Sequence, residues 1–282
     1  MENKLNNNYP KISIVMPSFN QEEFIERSIL SILNQNYPNL ELIIIDGGSN
    51  NNTIDIIKKY EKYIFYWISE KDNGQTHALN KGFSIASGDI FGWQNSDDIY
   101  LPNTFNKVAK IFKNNSNINI CYGNWYSINK KDEIIEKTYA MPIKTPHSPD
   151  EVMNIYNQAT FWRKEVHRRL NKLDENMDRG MDYDLILRFL LNEKLNSFYK
   201  INSFLGALRR YEGQKSKTDS TQIKEEKYLE KKFNFAPKYS FRGILNHANY
   251  RFYQMKESLK LGGVKYTFDK FIKGVKRRRG IL

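Results

Sequence analysis

The chain has few of the features that mark secreted, disulfide-stabilised or membrane-spanning proteins. Its 282 residues include one cysteine, Cys121, and four histidines that lack metal-ligand spacing. An internal disulfide is therefore excluded, and because Cys121 lies in an apolar run at 118–122, we expect a buried thiol rather than a nucleophile. No apolar run approaches the ~18 residues of a membrane-spanning helix. The first nine residues are polar and asparagine-rich, unlike a secretory signal, which predicts a cytoplasmic protein.

Glycine-rich phosphate loops are also missing. The turn after the first predicted strand, at residues 17–21, reads PSFNQ and contains no glycine. A dinucleotide-binding fold needs glycines there to bring backbone amides against a pyrophosphate, and a Walker loop needs glycine followed by Lys-Ser or Lys-Thr. Both kinds of nucleotide site are excluded, so phosphate charge must be neutralised from elsewhere in the chain.

The sequence does contain an alternation of strand and helix patterns. Short apolar runs typical of buried strands alternate with segments whose apolar residues recur at helical spacing. Strands are predicted at 11–17, 40–45, 65–68, 89–93, 118–126 and 197–201, a hairpin at 134–141, and helices at 22–35, 53–63, 76–86 and 181–191. This order predicts an α/β fold with a Rossmann-like, mostly parallel sheet flanked by helices.

Two adjacent carboxylates, Asp97 and Asp98, follow the predicted strand at 89–93. Ligands of open sheets collect beyond the carboxyl ends of the strands, and Mg²⁺ and Mn²⁺ prefer carboxylate oxygens. The pair is therefore a candidate site for a divalent cation that neutralises phosphate. The alternative is an Asp-Asp turn that caps a helix starting near Pro102.

Another acidic residue, Asp46, ends the second predicted strand and is followed by Gly47 and Gly48. The glycines let the backbone turn sharply, so the carboxylate can point into the same crevice and accept the imino proton of a pyrimidine base. Phe19, at the neighbouring strand end, offers an aromatic face for that base. A turn aspartate and a core phenylalanine are the alternative interpretation.

Six short segments follow one another in a recognisable order. They are residues 14–20 (IVMPSFN), 44–49 (IIDGGS), 73–82 (NGQTHALNKG), 95–98 (NSDD), 158–163 (QATFWR) and 181–185 (MDYDL). Through their order and separations the chain resembles a family 2 glycosyltransferase with the GT-A fold, over about residues 11–216. The resemblance implies a metal-dependent, inverting transferase that moves a sugar from a nucleotide-diphosphate donor, with a UDP-sugar favoured, to a hydroxyl of a glycan.

The resemblance also implies roles for individual residues. Asp46 would recognise the base, Asp98 would hold Mn²⁺ or Mg²⁺, and Asp97 would contact the ribose or sugar or help to hold the metal. Asp182 falls where the family keeps its catalytic base. The donor-binding residues implied in this way are Pro17, Phe19, Asn20, Asp46, Asn80, Asp97 and Arg210.

Chemical reasoning from the residues allows the same mechanism. An inverting displacement needs a carboxylate within hydrogen-bond reach of the acceptor hydroxyl, and Asp182 can supply it. Asp184 lies two positions further along the predicted helix, so the two side chains point in different directions. A helix N-cap is the alternative role for Asp182, and a carboxylate in the first helical turn is the expected role for Asp184.

The sequence departs from the family pattern at two places. Residues 50–52 are asparagines where many relatives have an aspartate, and Tyr211 follows Arg210 where relatives often have a histidine after an arginine. Arg210 can still bind diphosphate through its fork of donors. With Tyr211, the metal or phosphate site of this chain differs from the usual one.

Basic residues are concentrated towards the C-terminus. Lys and Arg outnumber Asp and Glu by 44 to 32, a net charge of +12, and from residue 238 onward they alternate with aromatic and aliphatic residues, as in basic amphipathic helices. We divide the chain into a catalytic domain, 1–216, and a helical tail, 217–282, that binds the anionic inner face of the membrane near a lipid-linked acceptor. A tail packed on the catalytic domain, with its charges in water, is the alternative.

Two other functions are open at this point. A nucleic-acid-binding protein would explain the charge, but the sequence has no reading helix, zinc-finger spacing or RNA-binding aromatic motif, and no specific nucleic acid is expected. The other is a non-catalytic, membrane-binding scaffold on a degenerate transferase fold. The four retained acids Asp46, Asp97, Asp98 and Asp182 argue against a scaffold.

Overall fold

The computed structural model describes residues 9–143, 155–214, 220–235 and 241–278. The strands in these ranges are β1 Ile12–Ser18, β2 Leu40–Asp46, β3 Tyr66–Ser69, β4 Ile90–Trp93, β5 Ile99–Tyr100, β6 Ile120–Ile128, β7 Ile134–Thr138, β8 Thr160–Arg163 and β9 Phe198–Arg209. The helices are α1 Ile25–Leu33, α2 Thr53–Lys59, α3 Gln75–Ile85, α4 Thr104–Asn114, α5 Lys164–Leu170, α6 Met181–Asn192, α7 Ser220–Lys232 and α8 Phe241–Arg278. The predicted boundary after residue 216, the polar segment 1–8 and the tail residues 238 and 279 lie outside the described ranges.

Strands β1 to β4 form the parallel half of the sheet, with the order β3-β2-β1-β4. The apolar residues of β1, β2 and β4 are buried on both faces of the sheet, as expected of parallel strands covered by helices, whereas the edge strand β3 is half-buried. The register pairs Ser18 with Asp46 and Asp46 with Ser69. The carboxyl ends of these three strands therefore meet at one edge, and the predicted α/β architecture is confirmed.

The second half of the sheet is mixed. Strand β8 lies antiparallel between β4 and β6, β9 runs parallel to β6, and β5 pairs antiparallel with β9. The hairpin predicted at 134–141 is present as β7 against β6. Strand β9 continues well beyond the predicted segment at 197–201 and ends at Arg209, two residues after Ala207, which pairs with Ile99 of β5.

Helix α3 packs closely on β1 and β2. Gly82 lies so near the side chains of Val15 and Ile45 that a β-carbon at this position would overlap with Val15. The close approach brings the N-terminal end of α3, at Gly74 and Gln75, to the same edge of the sheet as the ends of β1 and β2.

The C-terminal helices α7 and α8 also contact the part of the protein that contains the sheet. Leu229 of α7 is buried in the main hydrophobic core. From α8, the Tyr253 hydroxyl donates to the Pro142 carbonyl at 2.7 Å and the Tyr266 hydroxyl accepts the Tyr139 N–H at 3.3 Å. Helix α8 is broken at Gly263, whose φ of 75° is left-handed. None of the helices in the described ranges is long and apolar enough to span a bilayer.

Candidate active site

A cleft of about 610 Å³ opens at the carboxyl ends of β1, β2 and β4. Pro17 and Phe19 line it from the end of β1, Gly47 from the end of β2, and Asp97 from the segment after β4. The parallel register explains why residues so distant in the sequence share one edge. Further residues lining the cleft are Gln21, Lys71, Asp72, Gly74, Gln75, Asn95 and Tyr211.

Phe19 and Asn20 form the rim of this cleft. The Phe19 side chain is 59% exposed, an unusual state for a phenylalanine beside a sheet. Asn20 has a left-handed φ of 51° and lies outside the cleft lining. Its N–H donates to Ser49 Oγ at 2.7 Å, and its Oδ1 accepts the Asn50 N–H at 3.1 Å. Asn20 therefore ties the loop after β1 to the loop after β2.

Asp46 is fully buried at the end of β2 and does not line the cleft. Its Oδ2 accepts the N–H of Ser49 at 2.8 Å and the hydroxyl of Ser69 at 2.7 Å, and its Oδ1 accepts the Ser49 hydroxyl at 2.6 Å. These bonds fix the turn that contains Gly47. In this structure Asp46 shapes the cleft wall, and its contact with a base stays a prediction.

The two adjacent aspartates after β4 have different surroundings. Asp97 lines the cleft, whereas Asp98 is fully buried, with Oδ1 accepting the Arg209 N–H at 2.8 Å and Oδ2 the Asn95 amide at 3.3 Å. Burial raises the pKa of both carboxyls, and the charge of Asp97 adds to the rise for Asp98. The buried Arg209 lowers both pKa values in part, and its Nε donates to the Asp97 carbonyl at 2.7 Å.

Tyr211 occupies the position where the family pattern suggests a histidine. Its hydroxyl donates to Asp97 Oδ2 at 3.0 Å, and its ring packs against Phe24 with 4.8 Å between centroids. Burial and the neighbouring Asp97 raise the pKa of the phenol, which keeps it protonated as a donor. The departure from the pattern thus replaces an imidazole by a hydroxyl that is bound to the cleft carboxylate.

The donor atoms at this edge fit a hard divalent cation. Asp97 and Asp98 are adjacent carboxyls, and burial raises the pKa of both. Within the described ranges, no third acidic, histidine or cysteine side chain joins them in a metal-ligating group. Mg²⁺ commonly uses one or two carboxylates and completes its shell with phosphate and water oxygens, which matches this pair.

A polar network behind Asp97 was not predicted from the sequence. Asn95 Oδ1 accepts the Trp93 indole N–H at 2.8 Å and the Gln75 amide at 2.9 Å, while its own amide reaches Asp98. The network joins the end of β4 to the start of α3. Asn95 stands in the NSDD segment and Gln75 in the segment 73–82, but the sequence assigned neither side chain a role.

Asn80 makes structural contacts, and its contact with the donor stays a prediction. Its amide donates to the Leu173 carbonyl at 3.0 Å and to Glu175 Oε1 at 2.9 Å, and its Oδ1 accepts the Leu173 N–H at 2.8 Å. The side chain is buried and does not line the cleft. Asn80 therefore attaches α3 to the loop that precedes α6.

Asp182 lies in the first turn of α6, half-buried, near a second group of polar residues. Burial raises the pKa of Asp182 to about 6, opposed by the Tyr183 N–H and reinforced by the charge of Glu225. Burial raises the pKa of the half-buried Tyr156 phenol, Arg210 lowers it, and the charges of Asp182 and Asp98 raise it further. Tyr156, which no sequence signal indicated, is thus next to Arg210 and within the electrostatic range of Asp182 and Asp98.

The structure separates Asp182 from Asp184, as predicted from their spacing. Asp184 is buried and accepts the Arg188 Nε–H at 2.8 Å and the Lys232 ammonium at 2.6 Å. Gly180 is the N-cap residue of α6, so Asp182 does not cap the helix. Asp182 Oδ1 accepts the Tyr183 N–H at 2.9 Å.

Comparison with known proteins adds to this geometry. The family model for glycosyl transferase family 2 matches residues 13–191. An uncharacterized glycosyltransferase of Methanocaldococcus jannaschii is 28% identical over 228 residues, which cover 77% of this chain and 76% of the relative. The Escherichia coli UDP-Glc:alpha-D-GlcNAc-diphosphoundecaprenol beta-1,3-glucosyltransferase WfgD is 36% identical over 120 residues, 42% of this chain and 47% of that enzyme.

Solved structures show a similar fold. Staphylococcus aureus TarS 1-349 in complex with UDP-GlcNAc superposes with a TM-score of 0.62 at 16% identity, covering 78% of this chain and 65% of that one. The same protein in complex with UDP gives a TM-score of 0.56, covering 71% and 60%. The chain spans less than two thirds of these structures, and the likeness concerns the fold alone.

Proposed function

The chain belongs to glycosyl transferase family 2, and from this premise we propose that it is a metal-dependent, inverting enzyme that transfers a sugar from a UDP-sugar to a hydroxyl of a lipid-linked glycan. The observation that carries the proposal is the cleft at the strand ends, where the exposed Phe19, the turn at Gly47 and the carboxylate of Asp97 face one space. The UDP and UDP-GlcNAc bound in the TarS complexes support the choice of donor.

Different residues bind the donor and accept the proton of the acceptor. Phe19 stacks on the base, while the exposed Lys71 and the N-terminal end of α3 at Gly74 provide positive potential for the diphosphate. Asp182 accepts the proton of the acceptor hydroxyl while that oxygen bonds to the anomeric carbon and the bond from this carbon to the diphosphate breaks. A pKa of about 6 suits this task, because the carboxylate is ionised at neutral pH and still basic.

Asp97 and Asp98 would hold a Mn²⁺ or Mg²⁺ ion, which when bound neutralises charge on the departing diphosphate. Arg210 lies beside Tyr156 on the side of the site that contains Asp182, and we assign its guanidinium to the diphosphate or to an acceptor phosphate. Tyr211 keeps the Asp97 carboxylate in one orientation.

Binding of UDP tests the donor half of the proposal. We expect isothermal titration to show UDP binding that strengthens with Mn²⁺, and Phe19→Ala to weaken it about tenfold through loss of base stacking. Phe65→Ala is the matched control, since Phe65 is 57% exposed and lies away from the cleft. Absence of metal-dependent heat in the wild-type protein, or equal UDP affinity of both variants, would contradict this assignment.

Two observations support a lipid-linked acceptor. The WfgD relative uses a diphosphoundecaprenol-linked sugar as its acceptor, and the exposed face of α8 has an apolar stripe. Spacings of seven, three and four residues place Leu245, Phe252, Met255 and Leu259 on one helical stripe, and all four are exposed. The exposed basic residues Arg251, Lys256 and Lys260 flank this stripe. The opposite face, with Tyr253 and Glu257, packs on the protein. An apolar stripe flanked by cations fits an anionic leaflet.

Membrane binding is tested best by substitution, because α8 also packs on the catalytic region and removal of residues 238–282 would disturb both. Replacing Phe252 and Leu259 of the stripe by serine, two residues that are 66% and 42% exposed, should lower binding to phosphatidylglycerol vesicles about tenfold or more. Phe65→Ser is the control. Unchanged flotation of the double variant with these vesicles would refute the membrane role.

A further inference from the structure

Helix α7 brings a carboxylate to the start of α6. Glu225 Oε1 accepts the Asp178 N–H at 2.7 Å, and Oε2 accepts the N–H of Gly180 at 2.7 Å and of Arg179 at 3.1 Å. Glu225 is itself buried. One side chain thus satisfies three consecutive backbone donors in the loop before α6, a helix whose own N-cap, Gly180, has no side chain to cap it.

The position of Glu225 is fixed by the packing of the rest of α7. Lys232 donates to Asp184 and to Asp174, each at 2.6 Å, and Leu229 is buried in the core. Gly180 allows the close approach, because a β-carbon there would lie 3.2 Å from Glu225 Oε2. Helix α7 is therefore held against both α6 and the preceding loop. It lies beyond the match to the family model, which ends at residue 191.

Building on the role of Asp182 in the proposed function, we propose that Glu225 is a positioning residue for the catalytic base. Its carboxylate holds the loop 178–180, which sets the direction in which the first turn of α6 presents Asp182. A base must stay within hydrogen-bond reach of the acceptor hydroxyl, and a displacement of ~1 Å can cost about 100-fold in rate. A carboxylate bound to three backbone amides supplies that rigidity.

Glu225 also acts on Asp182 through its charge. The groups that face Asp182 are the Tyr183 N–H from α6, Glu225 from α7 and the phenol of Tyr156, with Arg210 next to that phenol. Burial is the main cause of the raised pKa of Asp182, and among the charged groups Glu225 adds to it. Glu225 therefore makes the base stronger at the same time as it orients it.

A double-mutant cycle on thermal stability tests this coupling without any substrate. The folded protein keeps the Asp182 proton up to about pH 6, whereas a free aspartate releases it near 3.8, so stability falls as the pH rises through this window. Asp182→Asn removes that loss and should raise Tm at about pH 7.5 but not at about pH 4. The gain should be smaller when Glu225→Gln is also present, and unchanged when the control Glu61→Gln is present, since Glu61 is an exposed residue in the turn before β3.

Turnover tests the positioning role. Using hydrolysis of a UDP-sugar as the reaction, Glu225→Gln should lower kcat about 10- to 100-fold with KM for the donor nearly unchanged, because an amide cannot accept three N–H groups. The rise of kcat with pH, which reports the pKa of Asp182, should also move to lower pH in Glu225→Gln, because the charge that raises this pKa is gone. Glu225→Asp keeps the charge but moves the carboxylate oxygens away from the loop, so it should lower kcat without changing the pH at which kcat rises. Glu61→Gln should change neither kcat nor this pH.

The outcomes separate this inference from the proposed function. Equal Tm gains from Asp182→Asn with and without Glu225→Gln, or wild-type kcat in both Glu225 variants, would overturn the positioning role. Full activity of Asp182→Asn would instead overturn the choice of base in the proposed function, while the stability cycle would still report whether the two carboxylates are coupled. If Glu225→Gln does not fold, the kcat and pH profile of Glu225→Asp decide the question.

Discussion

Asp182→Asn is expected to reduce kcat by about 10²- to 10⁴-fold, the usual contribution of a general base. The amide cannot accept the proton of the acceptor hydroxyl, whereas its oxygen can still accept the Tyr183 N–H, so the helix should be preserved. Asp182 does not line the cleft that we assign to the donor. Affinity for UDP should therefore remain close to that of the wild-type protein in the same titration.

The pH dependence gives this prediction a second readout. A base with a pKa of about 6 must lose its proton to act, so wild-type kcat should rise through pH 6 and fall to about a tenth of its plateau at pH 5. The residual kcat of Asp182→Asn should not show this rise through pH 6. Asp55→Asn, an exposed site on α2, is the control. Near-normal turnover of Asp182→Asn would show that another group takes the proton.

Asp98→Asn is expected to weaken both donor binding and turnover. Loss of even an outer-shell partner commonly costs about 10- to 100-fold in metal affinity, and loss of a ligand should cost at least as much. UDP affinity in Mn²⁺ should fall to the metal-free level, and kcat should fall with it. The asparagine oxygen can still accept the Arg209 N–H, so the fold should persist.

The comparison with Asp97→Asn makes the Asp98 result specific. Asp97 lines the cleft and is bound by Tyr211, whereas Asp98 is buried behind it. If Asp97→Asn abolishes the effect of Mn²⁺ on UDP affinity and Asp98→Asn does not, the main ligand is Asp97 and the order inferred from the family resemblance is reversed. Circular dichroism melts of both variants control for unfolding.

Local patterns were sufficient to predict the first half of the fold. The segments from β1 to β4 have strong strand or helix periodicity, and parallel strands joined by short helices leave few possible topologies. Strand β8 and the two-residue β5 were missed, because a segment as short as Thr160–Arg163, with two apolar residues, has too little periodicity to indicate a strand. Their antiparallel pairing with distant strands depends on tertiary packing, which local sequence does not encode.

The site was predictable where residues follow strand ends. Pro17, Phe19 and Asp97 line the cleft for that reason. Sequence could not tell which of two adjacent aspartates faces outward, since neighbouring side chains point in different directions and only the packing of Arg209 selects Asp98 for the interior. Tyr156 and Glu225 reach the site through contacts between segments far apart in the chain, for which the sequence has no periodic signal.

The attachment of α7 to the loop before α6 bears on how shortened versions of this protein should be produced. A fragment that stops at residue 191, where the family match ends, or at residue 216 would lack Glu225, the acceptor of the Asp178 and Gly180 N–H groups. It would also expose the apolar surface that Leu229 covers. Slow folding or aggregation of such a fragment would then result from the loss of α7. Recombinant forms should therefore extend at least through residue 235.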